Sequence, residues 1–227
     1  MKVLIGFSTC NVTRSAFESH GHDVWTCDLR PARHAKHIRG DVWDNLDGWD
    51  FGVFHPMCTY LTVSAAWAFS DPDFEKYPDV GYHQAVKPST LTGSKRREAR
   101  DKAIADFIKL DSLPYPRAIE NPAPSFISKA HRPPDQTIQP YEFGDDASKR
   151  TGLWLTGCQD LEPTNYFPPR RCEYKGKFVG RWSNQTASGQ NRVSPSSNRW
   201  IERSKTYPGI ANAMGDQWGK ELRRCKT

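Results

Sequence analysis

The sequence predicts an α/β chain built on a doubly wound, mostly parallel sheet, and three observations carry that expectation. Val3-Leu4-Ile5-Gly6-Phe7 and Phe51-Gly52-Val53-Phe54 are short, continuous apolar runs, of the kind that strands buried on both faces show. Helix-length connections separate such runs, as parallel pairing requires. Polar and acidic residues gather just after the runs, where open α/β sheets bind their ligands.

The elements follow in order. Ser8 to Thr13 is a polar turn, Thr13 opens a short helix containing Ala16 and Phe17, and Gly21 stops it. Asp23-Val24-Trp25-Thr26-Cys27 reads as a second strand ending at Asp28. A basic, His-containing loop from Arg30 to Arg39 leads through Gly40-Asp41-Val42 to the strand at Phe51 to Phe54. Beyond Thr59 the pattern breaks: Ala65 to Phe69 reads as a short helix, followed by a long loop rich in Pro, Asp and Gly. Arg97 to Leu110 places Ala103, Ile104, Phe107 and Ile108 at helical spacing and leads to a strand at Arg117 to Glu120. Thr137 to Tyr141 is a strand that leaves the sheet at Pro140, and Thr151 to Leu155 is another, with Trp154 on one face. A final helix from about Gly209 to Leu222 offers Ile210, Ala213, Met214, Trp218 and Leu222 to one face. One domain over residues 1–160 and 206–227 is expected, with 161–205 a small, irregular, basic insertion.

Length and composition narrow the function classes. At 227 residues with 37% hydrophobic content, the chain supports one sizeable core. No run approaches the roughly 18 apolar residues of a membrane span. The six cysteines are scattered without a C-x-x-C pair, so no metal site and no disulfide framework is expected, and a cytoplasmic location is. Net charge is +6. Between Pro168 and Lys205 nine basic residues face two acidic ones, with Tyr174, Phe178, Trp182 and Trp200 interleaved. That mixture suits phosphates and unstacked bases, the alternative being a solubilising segment.

Two short motifs carry chemistry. His55-Pro56-Met57-Cys58-Thr59 follows one strand, and Ile119-Glu120-Asn121-Pro122 ends another about sixty residues later. If the strands are neighbours, a sulfur nucleophile and an acid face each other, which suits covalent attack on an electron-poor ring. His55 is a candidate helper for the thiol, although its ordinary role is that of a hydrogen-bonded structural histidine. Ser8, Thr9 and Cys10 after the first strand, Asp28 ending the second and Asp41 farther on fit an adenosine-bearing ligand. No G-x-G-x-x-G follows the first strand and no Walker lysine motif occurs, so dinucleotide and ATP-hydrolase readings fall.

Further stretches complete a pattern: Cys27-Asp28-Leu29, Gly40-Asp41-Val42, Pro56 to Leu61, Ile138-Gln139-Pro140-Tyr141-Glu142-Phe143-Gly144, Lys149 to Leu155 and Arg203 to Ala211. In this order the chain resembles small, phage-type DNA cytosine-5 methyltransferase-like proteins, a branch of the class I S-adenosylmethionine-dependent methyltransferases. The resemblance implies a Rossmann-like fold, with Cys58 as nucleophile and Glu120 as acid. It implies S-adenosylmethionine held by Phe7, Ser8, Thr9, Asp28, Leu29, Asp41, Val42, Pro56 and Gly209, with Asp28 on the ribose and Asp41 on the adenine. DNA would be the partner, as a duplex with a flipped base or as a single strand. It would be met by Asn121, Pro122, Lys149, Arg150, Arg170, Arg171, Lys175 and Arg181. The chain departs from the pattern at Ser8-Thr9-Cys10-Asn11, where glycines are usual, at Met57, where a second proline is common, and at Pro122, where an aliphatic residue is usual. It has no segment as long as a target-recognition domain, so sequence specificity must come from residues 60–100, from 160–205 or from a partner.

The implied chemistry needs a thiolate at ring C6 and a proton at N3, the latter from a carboxyl whose pKa burial has raised. A base inside a duplex must be flipped out to be reached. Two other readings remain open: modification of another nucleotide or an RNA base, and a non-catalytic nucleic-acid-binding protein with this fold.

Overall fold

The computed structural model describes residues 1–63, 65–192 and 206–224. Its main strands are β1 (Lys2–Gly6), β2 (Asp23–Asp28), β3 (His37–Arg39), β4 (Phe51–Phe54), β5 (Arg117–Pro122), β6 (Gln136–Ile138) and β7 (Thr151–Thr156). They form one sheet in the order β3-β2-β1-β4-β5-β7-β6. Strands β1 to β5 pair in parallel, and β7 runs antiparallel to both β5 and β6. From β1 the chain moves outward to β2 and β3, then resumes on the other side with β4 and β5. That reversal creates a crevice at the carboxyl ends of β1 and β4.

Four helices are described: α1 (Asn11–Glu18), α2 (Gly93–Asp111), α3 (Ile127–Ala130) and α4 (Pro208–Arg224). The side-chain alternation of β1 sorts them between the two faces of the sheet. Val3 and Ile5 pack in a core with Phe17 of α1 and Met214 and Trp218 of α4. Leu4 points the other way, into a core with Phe107 and Leu110 of α2 and Trp154 of β7. Helices therefore cover both faces, which is why β1 and β4 are apolar without alternation. The two fully buried tryptophans each place an indole N–H on a backbone carbonyl, Trp154 on Arg132 at 3.0 Å and Trp218 on Gln159 at 2.8 Å.

Several expected boundaries shift. Helix α1 starts at Asn11 rather than Thr13, its first turn tied by the Arg14 guanidinium donating to the Asn11 amide oxygen at 2.7 Å. Helix α2 starts at Gly93 rather than Arg97, because Arg96 and Arg97 anchor its first turn to the carbonyls of Thr59 and Phe69. The expected His-containing loop holds the edge strand β3, where Thr26 and His37 pair across the ladder and meet Oγ1 to Nδ1 at 2.7 Å. Three residues are too few for alternation to register.

Part of the basic insertion is regular. It folds a separate two-stranded ribbon, β8 (Arg170–Tyr174) and β9 (Lys177–Arg181). Lys175 and Gly176, at φ 52° and 71°, make a type I′ turn, whose twist matches that of the flanking strands. Arg199, Trp200, Glu202, Arg203, Lys205 and Cys225 lie outside the described residues. Among the described residues no helix is long and apolar enough to cross a membrane.

Candidate active site

The last paired residues of β4 and β5 are Phe54 and Ile119, so the next residues, His55 and Glu120, stand opposite one another at the sheet's carboxyl edge. His55 Nδ1 lies 3.0 Å from Glu120 Oε2, and Lys149 Nζ, just before β7, lies 3.6 Å from Oε1. The Glu120 side chain is only 11% exposed. The His55 contact is close yet misaligned for a hydrogen bond: Oε2 and His55 Nε2 are both buried without a hydrogen-bond partner among the described residues. The pair is therefore a close polar contact rather than an aligned hydrogen bond.

Glu120 corrects one expectation. Burial is the largest influence on its carboxyl and pushes the pKa up, as the sequence reading supposed. The charge of Lys149, and then the contact with His55, together pull harder the other way, and the pKa falls from 4.5 to about 2. Glu120 thus rests as a carboxylate. Lys149, expected to meet DNA, is turned onto that carboxylate. The sequence signal for His55 was its place immediately after a strand, opposite the acid's own strand end.

Asn121 ties the two motifs together. It is 1% exposed, its Nδ2 faces the Pro56 carbonyl at 3.5 Å, and its Oδ1 is buried without a hydrogen-bond partner among the described residues. Cys58 lies in the loop so anchored, half-buried, with its carbonyl accepting from the amides of Leu61 and Thr62. Downstream, the Leu61 carbonyl accepts from the Phe126 amide at 2.8 Å and from the Ser125 hydroxyl at 3.0 Å. The Arg96 guanidinium donates to Thr59 O at 3.3 Å. The loop carrying the thiol is thereby stitched to the segment that follows Glu120. Pro122 ends β5 opposite Thr151, Arg150 is exposed, and Met57 projects into solvent at 69% exposure.

The crevice beside β1 gathers most of the other expected residues. Phe7 takes the left-handed conformation at φ 57°, costing about 1–2 kcal/mol for a residue with a Cβ. Such strain concentrates at functional sites. Its ring meets Trp43 edge-on at 5.6 Å. Ser8 is buried and accepts from the Cys10 amide at 3.1 Å, with Thr9 half-buried beside it. Leu29 is 71% exposed at the end of β2, and Val42 is buried beneath the crevice. Asp41 accepts from the Trp43 amide at 3.1 Å, capping a short 3-10 turn. Asp28 is gripped by Arg30, Nε to Oδ1 at 3.0 Å and Nη2 to Oδ2 at 2.9 Å. Burial raises the Asp28 pKa, but the hydrogen bonds from Arg30 lower it further, so the group is held below the usual range. The Gly209 amide donates to Asp145 Oδ2 at 2.9 Å, and a Cβ there would collide with the Phe143 carbonyl, so packing requires a glycine at this position.

The four cationic residues of the basic segment among those proposed for DNA divide in two. Arg170 donates to the carbonyls of Trp182 and Gln185 at 3.5 and 3.3 Å, and Arg181 to those of Ala187 and Gly180 at 3.0 and 2.7 Å, so both brace the loop after β9. Arg171 and Lys175 remain exposed. Sequence reasoning missed the link from this module to the site. Asn184 Oδ1 accepts from the Ser148 amide at 3.0 Å and its Nδ2 donates to the Ser148 carbonyl at 2.9 Å, one residue before Lys149. Trp182 stacks on Tyr141 at 4.1 Å between ring centroids. No protein-family model matches the chain, and no curated protein matches it.

Proposed function

We propose that the protein transfers a methyl group from S-adenosylmethionine to C5 of cytosine in DNA through a covalent adduct on Cys58. The observation that carries this reading is the convergence of the Cys58 loop with Glu120 at adjacent strand ends, together with three buried polar atoms lacking hydrogen-bond partners among the described residues. Those atoms, His55 Nε2, Glu120 Oε2 and Asn121 Oδ1, belong to residues of the two joined motifs. Two of them are acceptors, which calls for a ligand with N–H donors. Cytosine offers its amino group, whereas uracil turns a carbonyl oxygen to the same place and meets the carboxylate with repulsion.

The Cys58 thiolate bonds to C6, and the C5=C6 electron pair moves onto C5. Ring N3 becomes more basic as sulfur adds, and the proton it takes is held against Glu120, with the Lys149 amino group and the His55 ring as its neighbours. Once C5 carries the methyl group, its proton passes to water, the electron pair it leaves re-forms C5=C6, Cys58 departs as the thiolate and N3 gives back its proton. S-adenosylmethionine, when bound, supplies the electrophilic methyl group. Asp28 and Asp41 fit its ribose and adenine, and exposed Leu29 offers apolar surface beside them. The Arg30 guanidinium must release at least part of Asp28 for that fit.

Mass spectrometry of DNA from cells expressing the protein tests the reading, with 5-methylcytosine as the expected product. Cys58→Ser should abolish it while calorimetry shows cofactor affinity changed by no more than a few-fold. A fully active serine variant sinks the covalent mechanism. The Arg30 grip on Asp28 favours one second reading, a nucleic-acid-binding protein that uses no cofactor. Failure to bind S-adenosylmethionine at millimolar concentration would select it.

A further inference from the structure

The β8–β9 ribbon presents two unlike faces. Register pairs Arg170 with Arg181, Cys172 with Val179 and Tyr174 with Lys177 on one face. On that side Cys172, Tyr174, Val179 and Arg181 are half-buried, with the two arginines bound to loop carbonyls. The opposite face pairs Arg171 with Gly180 and Glu173 with Phe178. Arg171, Glu173 and Phe178 are all exposed there, Phe178 at 68%, and the Arg171 guanidinium lies over the Phe178 ring at 5.2 Å. Lys175 and Lys177 project at the tip. Over Arg170–Arg181 five cations face one acid. Such a surface has no purpose in the core, and its charge complements phosphate.

We propose that this ribbon is a duplex-DNA reader that enters the major groove with its Arg171–Glu173–Phe178 face. The inference rests on the reading of the chain as a DNA methyltransferase and assigns it a recognition element. A two-stranded ribbon is what the roughly 12 Å major groove admits. Five residues per strand give a length of about 17 Å, so the tip reaches the groove wall. There Lys175 and Lys177 neutralise phosphates. Arg171 forks onto guanine O6 and N7, and Glu173 accepts from a cytosine amino group. The two side chains are about 7 Å apart along the strand, two base-pair rises. The Asn184–Ser148 clamp fixes the ribbon relative to Lys149, and through it to Glu120, so the groove reader and the base-modifying edge share one frame.

Fluorescence anisotropy with the full chain tests this, using a duplex of about 30 base pairs and the matching single strand at several salt concentrations. The intact protein should prefer duplex. Lys175→Gln and Lys177→Gln should each weaken binding to all sequences and reduce the log–log salt slope by about 1. Arg171→Gln should cost about tenfold on duplexes rich in G·C and little on A·T-only duplexes. All three residues are exposed, so thermal unfolding should be unchanged, and a lowered melting temperature in a variant transfers the test to the other two. Unchanged affinity and slope in the ribbon variants, with the intact protein binding and methylating duplex, overturns the ribbon assignment alone. Preference for the single strand also overturns it. An intact protein that binds neither probe and makes no 5-methylcytosine removes the methyltransferase reading itself.

Discussion

Replacing Lys149 by methionine keeps the side-chain stem but removes the charge 3.6 Å from Glu120 Oε1. In the intact protein the Glu120 pKa is lowered from 4.5 to about 2. At about 1.36 kcal/mol per pH unit this favours the folded, ionised form by roughly 3 kcal/mol. Burial is the strongest single influence and opposes ionisation, with Lys149 the next. Without that charge, burial is opposed by the His55 contact alone, and the carboxyl pKa rises. The sign follows from linkage: a depressed carboxylate pKa stabilises fully above the unfolded value and loses that contribution as pH falls toward the folded one. Lys149→Met should therefore be less stable by up to about 3 kcal/mol at pH 7, and the deficit should shrink to less than about half by pH 3. Urea unfolding across that range measures the deficit, and carboxyl NMR of Glu120 measures the pKa directly. A deficit independent of pH, or a Glu120 that still titrates near 2, would refute the coupling.

Three further outcomes are expected. A Cβ at Gly215 would stand 2.6 Å from the Ala16 backbone where α4 crosses α1, so Gly215→Ala should cost about 1–3 kcal/mol by overpacking. Calorimetry with an unchanged melting temperature would show that the helices can part freely. Asp111 is 4% exposed and accepts from Arg132 Nε at 2.7 Å and contacts His131 at 2.8 Å, with Arg117 3.7 Å away. Burial raises its pKa, but Arg132 and His131 lower it further, so Asp111→Asn should destabilise by about 3–5 kcal/mol at neutral pH and by less in acid. Equal loss at pH 7 and pH 3 in denaturant titrations would contradict that role. Asp28→Ala should weaken binding of S-adenosylmethionine by about 1–3 kcal/mol, and calorimetry showing no change would leave Asp28 as a partner for Arg30 alone.

The legible parts of the fold were those decided by local apolar pattern. Val3 to Gly6 and Phe51 to Phe54 are buried on both faces, and helices on either side leave no room for polar residues there. The final helix announced itself through Ile210, Ala213, Met214, Trp218 and Leu222, all buried. Strand β3 and the β8–β9 ribbon were not legible. The first is too short to alternate, and in the second exposed Arg170, Arg171, Glu173 and Lys177 leave no clear apolar alternation to register.

In the site, the sequence by itself determined which groups are present: a thiol, a carboxylate, a histidine and a lysine, each next to a strand. It also determined that the thiol and the carboxylate follow apolar strands, because burial imposes that pattern on any parallel sheet. Only the tertiary structure decided their state. A carboxyl near the core is driven toward neutrality, and nothing in Ile119-Glu120-Asn121 says that a lysine 29 positions later in the chain will reach it. Lys149 arrives there because β7 returns antiparallel beside β5 and sets Leu153 opposite Glu120 and Thr151 opposite Pro122. Charge interactions depend on distance through space, whereas the pattern in a sequence records only what lies near along the chain.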